Sequence, residues 1–233
     1  MAFSIAQASP QGASRGASAL QDGWREIART RSVAAARQRS EARLGLFVAA
    51  ARELASETGS AAFTVSQVVE RAGLSLKSFY ADFDGKDDLL LALIGHDSGV
   101  GAAMLRELVD RHRAPARRLR AYVEGFFSFL AAAGELGVDP YVSVLTSEHR
   151  RLRESRPEGT SVALAPFLDL LETELRAAMD AGAIRRGDAV RDARTVFDLL
   201  LGNVHEFAVG RDPLPPAELA AYVWSFCWKG FAS

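Results

Sequence analysis

The run from Thr64 to Phe83 limits the fold of this chain more than any other stretch. Thr64-Val65-Ser66-Gln67 has the form of a capping box. The threonine hydroxyl can accept from the free N–H at N3, and the glutamine can reach back to the cap. Val65, Val68, Val69 and Ala72 follow on one helical face. Gly73 ends that helix, since a tight interhelical turn needs a positive φ that glycine adopts without strain. Ser75 can cap a second helix over 76–82, which carries Phe79 and Phe83 at i, i+4. Helix, glycine turn, helix is the signature of a helix-turn-helix, although many αα-hairpins share the spacing.

The flanks extend the same pattern. Leu44, Phe47, Val48, Ala51, Leu54 and Ala55 form the apolar face of a helix over 42–57, ended by Gly59. Downstream, Asp84 is placed to cap a helix with Asp87 and Asp88 in its first turn, where negative charge suits the helix dipole. Leu89, Leu90, Leu91, Leu93 and Ile94 make that helix strongly apolar. After Gly101 the chain reads as long helices over 102–112, 116–133, 138–153, 160–181, 188–209 and 215–230, separated by proline and glycine breakers. No stretch alternates as a strand does. The predicted fold is all-α: an N-terminal three-helix domain of helix-turn-helix type and a C-terminal helical bundle. Residues 1–38 form an arm, disordered over 1–20 or partly helical beyond. Residues 39–95 form the first domain and 96–233 the second.

Composition narrows the function. One cysteine, Cys227, excludes an internal disulfide and a cysteine zinc site, and four scattered histidines do not suggest a metal cage. No apolar run reaches about 18 residues, so no membrane span is expected. Residues 1–20 lack the basic start and apolar segment of a secretory signal, and the chain reads as cytoplasmic. The net charge of −1 advertises no partner, but its distribution does. Residues 1–40 hold six arginines, among them Arg25, Arg29, Arg31, Arg37 and Arg39, against Asp22 and Glu26, a net +4. Residues 41–95 hold five basic and eight acidic groups, a net −3. A basic arm is either a phosphate or minor-groove contact or a solvated tail.

The second helix of the motif has a polar N-terminal face. Ser75, Lys77, Ser78 and Tyr80 offer hydroxyls and an ammonium suited to phosphate oxygens, and Lys77 also has the reach for a guanine edge. Taken together, Phe63-Thr64-Val65, Ala72-Gly73-Leu74-Ser75, Ser78-Phe79-Tyr80, Phe83, Lys86 and Leu89 resemble the DNA-binding region of the TetR family of bacterial transcription regulators, over residues 44–94. The resemblance implies that Thr64 binds phosphate. It implies that Ser75, Leu76, Lys77 and Ser78 face the major groove, Leu76 against a thymine methyl, and that Tyr80 and Lys86 contact the DNA backbone. Phe79, Phe83 and Leu74 would be core. Two features depart from the family. Ala81 and Asp82 stand where a basic or polar residue and then an aromatic or histidine are usual, and the segment is acidic. Asp82 either repels phosphate, turns away, pairs with an arm arginine or accepts from a cytosine amine.

The C-terminal half is rich in aromatics. Phe126, Phe127 and Phe129 share one helix yet face more than one direction, so some are expected to line a cavity rather than a single core seam. Phe126, Phe129, Tyr141, Phe167 and Phe197 are the candidate ligand-binding residues, with His149 and His205 as further polar candidates. The last two helices carry apolar stripes, Val196, Leu200, Asn203, Val204 and Phe207, then Leu219, Tyr222, Val223, Phe226 and Gly230. They are read as a homodimer interface, with burial inside the monomer as the rival. The sequence thus points to a regulator, most simply a repressor released from a palindromic operator by a small apolar effector. No catalytic spacing, phosphate loop, metal motif or cofactor signature supports an all-α enzyme. A helical protein-interaction module with weakened DNA binding is the other alternative, and rests on Ala81 and Asp82 alone.

Overall fold

The computed structural model describes the backbone of residues 11–131 and 140–231, and the side chains of 29–128 and 140–231. Among these residues the protein is all-α, with helices α1 (Gln11–Thr58), α2 (Val65–Arg71), α3 (Leu76–Asp82), α4 (Lys86–Asp110), α5 (Pro115–Ala131), α6 (Pro140–Ser155), α7 (Pro157–Asp180), α8 (Ala189–Ala208) and α9 (Pro216–Phe231). The chain divides into two compact units, Met1–Leu46 and Phe47–Ser233.

In the first unit, residues 11–20 are helical where the sequence suggests disorder; they extend the long α1, and lengthening a formed helix needs no new nucleus. Residues 1–10 lie outside the described residues. Arg29, Arg31 and Arg39 are exposed, while Arg37 pairs with Glu41 at 2.7 Å.

In the second unit, the local predictions at α2 and α3 hold. Thr64 Oγ1 accepts from Gln67 N at 3.2 Å, and Gln67 Oε1 accepts from Thr64 N at 2.8 Å. Gly73 has φ +64°, Leu74 N donates to Val69 O, and Gly73 N donates to Glu70 O. That pair of bonds is a Schellman stop, in which only glycine sits at ease. Leu74 itself is half-buried rather than core. Ser75 caps α3 by accepting from Ser78 N at 3.1 Å. Phe47 of α1 meets Phe79 and Phe83 edge-on, with ring centres 5.4 and 5.9 Å apart.

Three expectations are corrected. Asp84 is not the cap of α4: Gly85 occupies that position, and Asp84 N donates to the Asp88 carboxylate at 3.0 Å. Gly101 does not divide that helix, because glycine inside a packed helix costs only about 1 kcal/mol against alanine. Gly95 on the same helix lets Ala163 of α7 come within 3.6 Å of where a Cβ would be, so the close packing of α4 on α7 offsets such a cost. Third, the unbroken α4 is, by length and composition, apolar enough to cross a membrane. Its apolar residues Leu89, Leu90, Leu93 and Leu105 are instead buried in this unit.

Candidate DNA-binding face and effector cavity

The exposed end of α3 assembles from residues whose neighbours are committed to the core. Phe79 is fully buried, which turns Leu76, Lys77 and Tyr80 outward; Leu76 is 47% and Tyr80 60% exposed. Thr64 and Ser75 are exposed at the caps of α2 and α3, and Ser78 is half-buried with its hydroxyl 2.9 Å from that of Ser75. Lys86 behaves differently from the other candidates. Its ammonium donates to the Ala61 carbonyl and lies 4.9 Å from the centre of the Phe63 ring.

The acidity of the segment is spent elsewhere. Arg71 of α2 takes Glu57 through two bonds of 2.8 and 2.9 Å and Glu53 at 3.2 Å. The guanidinium holds the Glu57 carboxyl below its ordinary range through that hydrogen bonding. Asp87 is taken by Arg151 of α6 at 2.6 Å and Asp88 by Arg156 at 3.2 Å. Four carboxylates are therefore ion-paired within the protein rather than presented with the end of α3. Asp82 is half-buried at the far end of that helix.

A cavity of about 340 Å³ lies among α1, α4, α5, α6, α7 and α8. Phe126, Tyr141 and Phe167 line it as the sequence suggests, together with His149, Leu164 and Val204. Such a volume is at the lower end of small-molecule sites. Phe197 is the exception: its ring stands behind Phe126 and Phe167, at 5.5 and 5.7 Å, and faces a second, more polar cavity of about 280 Å³. The aromatic stripe was legible, but its order from wall to backing was not. The Phe129 side chain lies outside the described residues. Tyr122, fully buried, donates to the Phe167 carbonyl at 2.9 Å and fixes that wall.

His149 and Leu164 line both cavities. Burial, with help from Arg153, lowers the His149 pKa, while Asp198 opposes the shift. His205 does not line either cavity; its Nδ1 is 3.3 Å from Thr146 Oγ1.

Two charged lining residues went unnoticed in the sequence, Arg52 and Asp97. Each interrupts an apolar helical run, Arg52 in 47–55 and Asp97 in 89–105, and that interruption is the signal that could have found them. The Asp97 carboxylate receives Arg52 on one oxygen and the Tyr141 hydroxyl on the other. Burial, and then the Asp97 charge, raise the Tyr141 phenol well above its ordinary value, so it stays a donor.

The predicted dimer stripes divide. Val196, Leu200, Val204, Leu219 and Val223 are buried inside the chain, because α8 packs on α7 and α9 on α5. Tyr222 and Phe226, one turn apart on α9, remain 64% and 63% exposed.

Residues 47–93 match the bacterial regulatory proteins of the tetR family. Over 157 residues, 67% of this chain and 77% of the relative, the sequence is 26% identical to a fatty acid metabolism regulator protein of Bacillus subtilis. The structure is similar to transcriptional regulator FadR from Bacillus subtilis in complex with stearoyl-CoA, with TM-score 0.65 and 20% identity, covering 80% of this chain and 98% of that one. It is also similar to the fatty acid degradation regulator FadR from Bacillus halodurans, with TM-score 0.63 and 20% identity over 79% of this chain and 94% of that one. At such identity the structural likenesses establish the fold alone. The matched segment begins at Phe47, which seats Phe79, and ends at Leu93. With its exposed α3 face, the segment over residues 47–93 is a DNA-binding region of the tetR type of bacterial regulatory proteins, and the chain that carries it is a DNA-binding transcription regulator.

Proposed function

We propose that the protein is a cytoplasmic repressor that binds a palindromic operator as a homodimer and leaves it when an apolar acyl compound fills the cavity. Residues 39–95 act as the DNA-binding domain and 96–233 as the effector and dimerisation domain. Thr64, Tyr80 and Lys86 contact the phosphate backbone, and Ser75, Leu76, Lys77 and Ser78 face the major groove. The observation that carries the effector reading is the cavity itself: its lining is apolar but for a few groups, Arg52, Asp97, Tyr141, Thr146 and His149 chief among them. That composition suits a hydrocarbon chain with one polar head. The names of the relatives, a fatty acid metabolism regulator and a regulator bound to stearoyl-CoA, support the acyl class.

The dimer is proposed through the outer faces of α8 and α9. Tyr222 and Phe226 supply exposed aromatic area there. Gly202 and Gly230 have open space where a side chain would be, which permits close helix approach. Two recognition helices about 34 Å apart would then meet successive major grooves.

The test is a titration of the protein onto labelled DNA from upstream of its own gene, beside scrambled DNA, at two salt concentrations, with and without stearoyl-CoA. The expected result is tight, salt-sensitive binding to the native DNA that weakens with the acyl compound. Equal weak binding to both DNAs rejects the operator, and unchanged affinity at saturating acyl compound rejects the effector.

A further inference from the structure

The polar end of the cavity forms where α1, α4 and α6 converge on Arg52, Asp97 and Tyr141. Arg52 is incompletely satisfied there. Its Nη2 reaches Asp97 and lies 3.0 Å from His96 Nδ1, and the guanidinium sits 5.8 Å from the Tyr141 ring centre. Its Nε–H is buried and has no hydrogen-bond partner. A buried donor left in that state costs free energy that an acceptor atom in the cavity would recover. Because Asp97 already balances the charge, the missing partner need not be a full anion. An acyl oxygen suits it, whether a thioester carbonyl or a carboxylate.

The helix that carries Arg52 also carries the seat of the recognition helix. Phe47, five residues earlier on α1, is the ring against which Phe79 and Phe83 pack. Glu53 and Glu57 on α1 hold Arg71 of α2. Five residues of α-helix are about 7.5 Å long and stiff, so a change in how Arg52 is tied is felt at Phe47. We propose that Arg52 is the positioning residue that couples the cavity to DNA: an acyl oxygen takes its Nε–H, draws the guanidinium from Asp97, and changes how α1 is held against α4 and α6. The effector must therefore bind more tightly to the state in which the Arg52–Asp97 tie is loosened. This role rests on the effector reading above.

Three probes share one chain and differ in the head: dodecanoyl-CoA, dodecanoate and dodecyltrimethylammonium, the last without an acceptor. Operator affinity is measured by fluorescence anisotropy, and probe binding by calorimetry, for the full chain and for Arg52→Lys and Arg52→Gln. The lysine variant keeps a cation for Asp97 but lacks the Nε–H, and so remains informative where the glutamine variant fails to fold. In the wild type, one or both acyl probes should weaken operator binding about tenfold or more, and the ammonium should not. In both variants the ratio of operator affinities with and without acyl probe should fall toward one, and calorimetry should no longer distinguish the heads. A merely structural role would shift the separate affinities without erasing that discrimination. Release by Arg52→Lys with the wild-type ratio overturns the role of Arg52 and leaves the effector reading standing. The same holds if the ammonium releases DNA as well as the acyl probes do. A wild type that holds its operator against all three probes overturns both.

Discussion

Lys86 is tied to Phe63: its ammonium lies over that ring while it donates to the carbonyl of Ala61, two residues before. The lysine that the family motif assigns to phosphate therefore also holds the segment entering α2. An ammonium has three donors, and one spent on Ala61 leaves two for DNA. Lys86→Met keeps the stem and removes the charge. It should cost about 1 kcal/mol in urea unfolding. The slope of log affinity against log salt should become shallower by about one unit.

Lys77 contrasts with it, being exposed at the start of α3. Lys77→Ala should leave the melting temperature unchanged. Operator affinity should fall by about 1–3 kcal/mol if the ammonium reads a guanine, with discrimination relaxed at one base pair. Anisotropy on a set of single-substitution operators checks both statements, and an unchanged affinity across the set would remove Lys77 from the interface.

Phe47→Ala should destabilise the protein by about 3–5 kcal/mol, because it empties a fully buried site between two rings of α3 and its end. Circular dichroism on denaturant titration reads the loss. Operator binding should weaken even where the protein is still folded, since α3 has lost its seat.

His149 sets a pH dependence. Burial holds its folded pKa below the ordinary value of about 6.5, so the unfolded chain takes up the proton first. The stabilisation is complete above that ordinary value and is lost as pH falls from it toward the folded value. Melting temperatures of wild type and His149→Gln, compared across that window, should converge toward the acid side. The Glu57 and Asp87 carboxylates, held low by Arg71 and Arg151, lose their contributions only at lower pH, below the ordinary carboxylate values.

Tyr222→Glu with Phe226→Glu should convert the proposed dimer to a monomer in sedimentation, with no large change in melting of the monomer. Both side chains are mostly exposed on α9, so they contribute little to the interior of one chain. A dimer unchanged by the pair would move the interface elsewhere.

The helix-turn-helix was legible because its determinants are local. A capping box, a positive-φ glycine and an i, i+4 aromatic pair need no knowledge of the rest of the chain, and Thr64, Gly73, Phe79 and Phe83 all take the places their spacing implies. The continuous α4 was not legible, since Gly101 looks like a breaker while the packing of α4 on α7, close at Gly95 and Ala163, joins residues some seventy positions apart. The site divided along the same line. Phe126 and Phe167 could be named from aromatic density, but Phe197 stands one layer behind them, a distinction made only by how α8 packs on α7. Arg52 and Asp97 meet across 45 residues of sequence, and nothing in either neighbourhood names the other. The exchange of acidic groups for internal ion pairs was equally invisible, because Arg151 and Arg156 are remote from Asp87 and Asp88 along the chain.

His149 and Leu164 are the two side chains that face both cavities. For an elongated guest, the depth of the compartment is thus fixed by side chains and not by the course of any helix. Trimming Leu164 would join an oily chamber to a polar one that holds Arg153, Arg194 and Thr160. The tolerated guest length, and the character of what its far end meets, would change together. A scaffold arranged in this way can be retuned to a new chemical signal by one substitution while every contact that positions the recognition helix stays as it is.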